Sequence, residues 1–138
     1  MPLSSPELVL TAAVTIFAAL ILLWVAMMVA RVRRRHKIQA PAMSGPLELE
    51  CAIRAQGNST EQAMIFFPLL WMAALFFHII GWLVPALGLL WCLGRIVFVI
   101  GYIQAPSKRF AGFAISQFGT IGLLICAVIG VVQAWSVS

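Results

Sequence analysis

Hydrophobic residues in this chain occur in four long stretches, separated by short polar or proline-containing segments. The first runs from Leu8 to Ala30 without a charge, and the others cover about 62–80, 86–104 and 110–135. Each stretch has about the 20 residues that an α-helix needs to cross the hydrocarbon core of a bilayer. Arg95 is the one charged residue within them. The pattern predicts an all-α membrane protein, a bundle of four transmembrane helices.

The composition excludes a soluble globular domain, because 63% of the residues are hydrophobic and only 9% are charged. Four spans with short connections use the whole length of 138 residues, so we expect a single domain, 1–138. The first apolar stretch is too long for the core of a signal peptide and has no Lys or Arg before it. We expect it to remain as the first span. The three cysteines are isolated, so neither a metal site nor a disulfide framework is predicted.

Basic residues mark one side of the predicted bundle. The net charge is +5, and five of the nine Lys and Arg residues lie in segment 31–37, directly after the first stretch. This arrangement is typical of the cytoplasmic flank of a membrane span and of contact with anionic lipids, rather than of nucleic-acid binding. The segment 105–109 is also basic, whereas the other loop and both termini have no Lys or Arg. We therefore predict a multi-pass integral membrane protein with both basic loops on the cytoplasmic side and both termini on the opposite side.

Three polar residues stand together where the second helix enters its apolar stretch. Arg54, Asn58 and Glu61 follow one another at spacings of i, i+4 and i+7, which place them on one face of an α-helix. Charged groups at the edge of the hydrocarbon layer are costly, so such a group, here called the helix-two cluster, indicates a site. The alternative is an ion pair that only fixes helix packing.

The third helix has a second polar face. Arg95, Phe98 and Tyr102 fall at i, i+3 and i+7, and Arg109 follows Tyr102 after a further seven residues. Tyr102 and Arg109 should therefore lie at the same membrane surface as the helix-two cluster, with Arg95 about 10 Å deeper. We expect a cytoplasmic-side cavity lined by cations, one carboxylate, an amide and a phenol. Alternatively, Arg95 forms a salt bridge with Glu61, Tyr102 is an interfacial aromatic residue, and Arg109 serves only the charge bias of the loop.

Both polar faces resemble signatures of the MAPEG family, the membrane-associated proteins in eicosanoid and glutathione metabolism. The helix-two signature appears as Arg54-Ala55-x-x-Asn58-x-x-Glu61, and Gln56 repeats the residue of the leukotriene-synthase branch. The helix-three signature runs from Gly94-Arg95 through Gly101-Tyr102 to Arg109. Because the two motifs lie in the appropriate helices, the resemblance covers nearly the whole chain.

The resemblance implies a homotrimer of four-helix subunits that binds glutathione, a co-substrate, between neighbouring subunits. A hydrophobic electrophile would arrive from the lipid. An arginine at Arg33 or Arg34 would meet a carboxylate of glutathione, and Arg109 would act in catalysis by stabilising the thiolate. The residues that would hold the peptide are Arg54, Gln56, Asn58, Glu61, Arg95 and Tyr102.

Two positions separate this chain from the leukotriene branch. Gln62 replaces a tyrosine of that branch, and Phe98 replaces a polar ring residue of some members. The segment 61–69 looks more like that of bacterial members with general transferase activity. The resemblance thus implies a glutathione transferase of a bacterial inner membrane, whose thiolate could also reduce lipid hydroperoxides. Two other functions remain open: a MAPEG-type scaffold without turnover that binds lipid or partner proteins, and a small four-helix transporter.

Overall fold

The fold is a bundle of four long α-helices. A computed structural model describes residues 4–138, so residues 1–3 of the predicted domain lie outside the described range. Within that range the elements are α1 (Pro6–His36), α2 (Leu47–Phe76), α3 (Leu83–Gln104), a short 3-10 helix (Pro106–Arg109) and α4 (Phe110–Val137), with no strand among them. The four long helices are each long and apolar enough to cross a membrane. The predicted four-helix membrane fold is confirmed.

The first helix extends beyond its apolar stretch. Ser5 caps its start, since the Ser5 side chain accepts a hydrogen bond of 3.3 Å from the backbone N–H of Leu8. The helix then continues through the basic segment to His36, where positive side chains in the last turn interact favourably with the helix dipole. Lys37, with a φ of 55°, adopts the left-handed conformation that ends it. The arginines that follow the predicted span are therefore helical.

The connection between α2 and α3 lies earlier than the sequence pattern indicates. The second helix ends at Phe76, before the predicted limit near residue 80, and α3 begins at Leu83. Pro85 therefore lies in the first turn of α3 rather than in the connection before it. Proline is tolerated there because the backbone N–H groups of a first helical turn have no partner within the helix.

Small residues bring α3 and α4 into close contact. A Cβ atom on Gly112 of α4 would lie 2.1 Å from the backbone nitrogen of Phe98, and one on Gly94 of α3 would lie 2.5 Å from that of Ser116. Such contacts between small residues are a common way for membrane helices to associate. They place Arg95, the neighbour of Gly94, directly against α4.

We expect Gly112→Ala to destabilise the bundle by about 1 to 3 kcal/mol, because the added methyl group overlaps the backbone of α3 and the helices must separate. Thermal unfolding in mild detergent measures the effect. The matched control is Gly57→Ala, because a Cβ atom at Gly57 meets nothing within 4 Å. There the helix should gain up to about 1 kcal/mol from the better propensity of alanine. Equal loss of stability in the two variants would contradict the close α3–α4 packing.

Large apolar side chains cover much of the outer surface of the bundle. Leu20 and Leu23 of α1 and Ile121 and Ile125 of α4 are each exposed by more than half. Exposure of this surface to water would be unfavourable, whereas lipid or another apolar surface can cover it. The polar residues at the basic-loop end therefore stand out against an apolar exterior.

Candidate functional site

A cavity of about 870 Å³ opens at the end of the bundle where α2 begins and α3 ends. This is the end that carries both basic loops, as the predicted position of the site requires. Residues of α2, α3, the 3-10 helix and α4 line it, and Met43 of the first loop lies at its rim. The predicted site residues differ in whether their side chains line this cavity.

One face of α2 supplies most of the polar lining. Arg54, Asn58 and Glu61 all line the cavity, so the structure brings the helix-two cluster together. Glu50 lines it too, and the site has two carboxylates rather than the single one predicted from the sequence. The signal for Glu50 was present, because it precedes Arg54 by four residues and so shares its helical face.

Tyr102 of α3 and Arg109 of the 3-10 helix also line the cavity and contact each other. Arg109 donates a hydrogen bond of 3.3 Å from Nη1 to the Tyr102 hydroxyl, and its guanidinium lies 5.4 Å from the centre of the Tyr102 ring. The chain turns back here because Ala105, which precedes a proline, is extended. Lys108 of the same turn is exposed and bonds Gln104 instead. Of the two adjacent cations, only Arg109 lines the cavity.

Arg95 lies behind the cavity wall and is completely buried. Its Nη1 donates to Asn58 Oδ1 at 2.8 Å, while Nε and Nη2 donate to Ser116 Oγ at 3.1 and 2.6 Å. The guanidinium also lies 4.3 Å from the centre of the Phe98 ring. A salt bridge between Arg95 and Glu61, the alternative drawn from the sequence, is not formed. Within residues 4–138 both ion pairs involve another carboxylate, that of Glu48.

Sequence reasoning missed Ser116. A buried guanidinium requires acceptors, and α4, the neighbour of α3, carries few polar side chains to provide them. Ser116 is one of these, and its side chain is fully buried. That requirement was the one signal in the sequence that could have identified it.

Besides Arg95, three other predicted binding residues do not line the cavity of this chain. Arg33 donates from Nη1 to the carbonyl oxygen of Ala42 at 2.6 Å, Arg34 is exposed, and Gln56 is partly buried on α2. A contact between these residues and a ligand in the cavity would require a different conformation or a second subunit. Their binding role stays a prediction.

Polar contacts join the two helix ends that the first loop connects. Glu48, in the first turn of α2, bonds Arg35 at 2.5 Å and His36 at 2.9 Å. The backbone N–H of Gly45 also donates to a carboxylate oxygen of Glu50 at 3.4 Å. The Glu48 contacts join the end of α1 to the start of α2, and the Gly45 bond ties the loop that carries Met43 to α2.

The arrangement suits a small ligand that carries charges of both signs. Arg54 and Arg109 can bind anionic groups, and Glu50 and Glu61 can bind a cationic one. The aromatic side chains of Phe98, Phe110 and Phe113 line the same space and provide an apolar wall. A polar ligand and a hydrophobic reactant could therefore meet in one cavity.

Comparison with known proteins places the chain in a family. The MAPEG family matches residues 11–129, a range that enters all four helices. The chain is 42% identical over 123 residues to microsomal glutathione S-transferase 2 of Mus musculus, which covers 88% of this chain and 82% of that protein. It is 32% identical over 124 residues to leukotriene C4 synthase of Cavia porcellus, with 90% and 81% covered. An uncharacterised protein of Synechocystis is 32% identical over 129 residues, with 94% and 93% covered. These matches confirm the resemblance drawn from the two motifs, and the chain is a multi-pass membrane protein that belongs to the MAPEG family.

Proposed function

We propose that this protein is a glutathione-dependent membrane transferase that conjugates or reduces hydrophobic electrophiles. The observation that carries the proposal is the cavity in which Arg54, Asn58, Glu61, Tyr102 and Arg109 surround one space beside aromatic walls. Relatives named as a glutathione S-transferase and a leukotriene C4 synthase support a glutathione-related function at the level of the family.

Glutathione fits the cavity in size and charge. A volume of about 870 Å³ lies within the range of about 300 to 1,000 Å³ that small-ligand sites occupy. The tripeptide has two carboxylates, one ammonium and one thiol. We assign a carboxylate to Arg54, whose planar guanidinium can bind it through two hydrogen bonds, and the ammonium to Glu50 or Glu61. Arg95 does not reach the cavity, so its contribution would pass through Asn58.

Arg109 is the residue that we assign to catalysis. A thiol with a reference pKa of about 8.5 is only a few per cent thiolate at pH 7, and the thiolate is the nucleophile. A cation within about 4 to 6 Å lowers such a pKa by about 1 to 3 units. The thiol would release its proton to water, and the sulfur would then bond the electrophilic carbon while the leaving group departs with its electron pair. With a lipid hydroperoxide, the same thiolate would attack oxygen and displace an alkoxide. This attack leaves a sulfenic acid, and the thiol of a second glutathione would then bond its sulfur to form a disulfide while water departs.

The complete site would form in a homotrimer. This part of the proposal rests on the family resemblance. It would also explain why one chain alone leaves Arg33, Arg34 and Gln56 outside the cavity. A neighbouring subunit could bring one of these residues to the ligand. The mass of the protein in mild detergent, measured by light scattering, tests the assembly, and a monodisperse monomer or dimer would count against it.

The basic loops should face the cytoplasm, with the bacterial inner membrane as the proposed location. Single cysteines introduced at Gln39, in the first loop, and at Ser138 should therefore react with an impermeant maleimide from opposite sides of the membrane. The native cysteines give little background because Cys51, Cys92 and Cys126 are buried. Labelling of both introduced cysteines from the same side would overturn the topology.

The activity is tested with purified protein, glutathione and a chlorodinitrobenzene, whose thioether product is followed by absorbance. Glutathione binding is measured in parallel by calorimetry. We expect both binding and turnover. Binding without turnover, for aryl halides and for lipid hydroperoxides, would favour the non-catalytic scaffold instead. Absence of both would overturn the proposed function.

A further inference from the structure

We propose that Ser116 of α4 is a positioning residue for the glutathione site. Through Arg95 it would fix the side chain of Asn58 so that the amide nitrogen, rather than the carbonyl oxygen, faces the ligand. The inference rests on the proposed function, and it names the kind of ligand atom to which Asn58 donates. That atom is an oxygen, either a peptide carbonyl or a carboxylate.

The orientation of Asn58 follows from the chemistry of its partner. A guanidinium has five N–H donors and no acceptor, so the Asn58 atom at 2.8 Å from Arg95 Nη1 must be the oxygen. The nitrogen is left on the other side of the amide. Asn58 lines the cavity, and within residues 4–138 its nitrogen donates to no group. The amide therefore has its oxygen held by Arg95 and its N–H donors free for a ligand.

Ser116 holds Arg95 with a fully used hydroxyl. A serine hydroxyl has one donor and two acceptor positions. Ser116 donates to the carbonyl oxygen of Phe113 at 3.0 Å, and it accepts from both Nε and Nη2 of Arg95. Two bonds to one oxygen fix the plane of the guanidinium, which then directs Nη1 toward Asn58. The hydroxyl is thus the fixed end of a chain of hydrogen bonds, here called the relay, that runs from Ser116 of α4 through Arg95 of α3 to Asn58 of α2.

Burial makes this relay necessary. Arg95 and Ser116 are both fully buried, and within the described chain Arg95 has no carboxylate partner. Its remaining surroundings are aromatic, with ring centres of Trp91 and Phe113 each 5.8 Å from the guanidinium carbon. Aromatic faces attract the charge but do not accept its N–H groups in a fixed direction. Without the hydroxyl, Nε and Nη2 would lose their acceptor, and the guanidinium would turn away from Asn58.

The first test is Ser116→Ala, with turnover measured over a range of glutathione concentrations. We expect the KM for glutathione to rise about tenfold, the equivalent of about 1.4 kcal/mol, with little change in kcat because Arg109 stays in place. The matched control is Thr120→Ala, one turn further along the same face. Thr120 is also buried, and its hydroxyl bonds the carbonyl oxygen of Ser116 without touching Arg95. That variant should keep the wild-type KM.

A double-mutant cycle tests whether Ser116 acts through Asn58. The effect of Ser116→Ala on the KM is compared in the wild-type protein and in Asn58→Ala. If the relay holds, the replacement should raise the KM about tenfold in the first and by less than about twofold in the second. An equal rise in both backgrounds would overturn the role of Ser116 as a positioning residue.

Asn58→Asp gives a test that does not depend on the stability of the Ser116 variant. The aspartate is nearly the same size and can still accept from Arg95, so thermal stability in detergent should be maintained. Its second oxygen would now face the ligand as a negative acceptor where a donor stood, and calorimetry should show glutathione affinity at least about tenfold lower. Unchanged affinity would mean that Asn58 does not present a donor to the ligand, and would overturn the proposal.

The proposed function and this inference fail in different ways. Wild-type protein that does not bind glutathione would overturn both. Wild-type protein that binds and turns over, combined with an unaltered KM in a folded Ser116→Ala variant, would overturn only the relay.

Discussion

Arg54→Ala is expected to weaken glutathione binding by about 2 to 5 kcal/mol. Arg54 lines the cavity and, within the described chain, pairs with no carboxylate, so it can bind an anionic group of the ligand. Bound glutathione would cover this charge pair. Removal of one partner would then leave the ligand carboxylate desolvated without its cation, which gives the stated range. Calorimetric titration of the purified variant measures the loss.

The matched control for this experiment is Arg31→Ala. Arg31 is an exposed arginine of α1 that does not line the cavity, so its removal changes the net charge of the protein by the same amount. Its affinity for glutathione should stay near that of the wild type. An unchanged affinity in Arg54→Ala would remove the assignment of the helix-two cluster to glutathione binding.

Arg109→Ala is expected to lower turnover at pH 7 by at least about tenfold, while glutathione binding changes less. If Arg109 lowers the pKa of the bound thiol, its removal raises that pKa, and one unit corresponds to a tenfold smaller thiolate fraction at a pH below the pKa. The raised pKa of the thiol also determines how the rate deficit depends on pH. The rate deficit should be largest near neutral pH and should shrink as the pH rises through the raised pKa of the variant. The ultraviolet absorbance of the thiolate, titrated in the bound complex, should shift to higher pH in parallel.

Lys108→Ala is the control for Arg109, because the two cations are adjacent but only Arg109 lines the cavity and meets Tyr102. Lys108→Ala should keep the wild-type rate and titration. If Arg109→Ala did the same, Arg109 would serve only the charge bias of its loop. The activating cation would then have to be sought at Arg33 or Arg34.

The sequence predicted the helices and a cavity at the basic-loop end of the bundle because both depend on strong local signals. Four apolar stretches of membrane-spanning length leave few alternatives to helices. The spacing of Arg54, Asn58 and Glu61 determines their common face whatever the neighbouring helices do. The structure brings these three residues into one cavity with Tyr102 and Arg109.

The helix ends and the partners of Arg95 could not be predicted in the same way. The end of α2 at Phe76 falls within a continuous apolar run, where hydrophobicity does not distinguish helix from connection. The choice of Asn58 and Ser116 over Glu61 as partners of Arg95 depends on how closely α3 approaches α4 and on the depth of each side chain. These are tertiary quantities, and the spacing of residues along one helix does not contain them.

The continuation of α1 beyond its apolar stretch has a consequence for conformational entropy. From Ala30 to His36 the helix adds six residues, which extend it by about 9 Å at 1.5 Å per residue and include the arginines. In a flexible loop, fixing each such residue on binding would cost about 1 to 2 kcal/mol of backbone entropy. Here the backbone of Arg33 and Arg34 is already ordered, so an anionic partner at the membrane surface, whether a lipid headgroup or a neighbouring subunit's ligand, would need to immobilise only side chains.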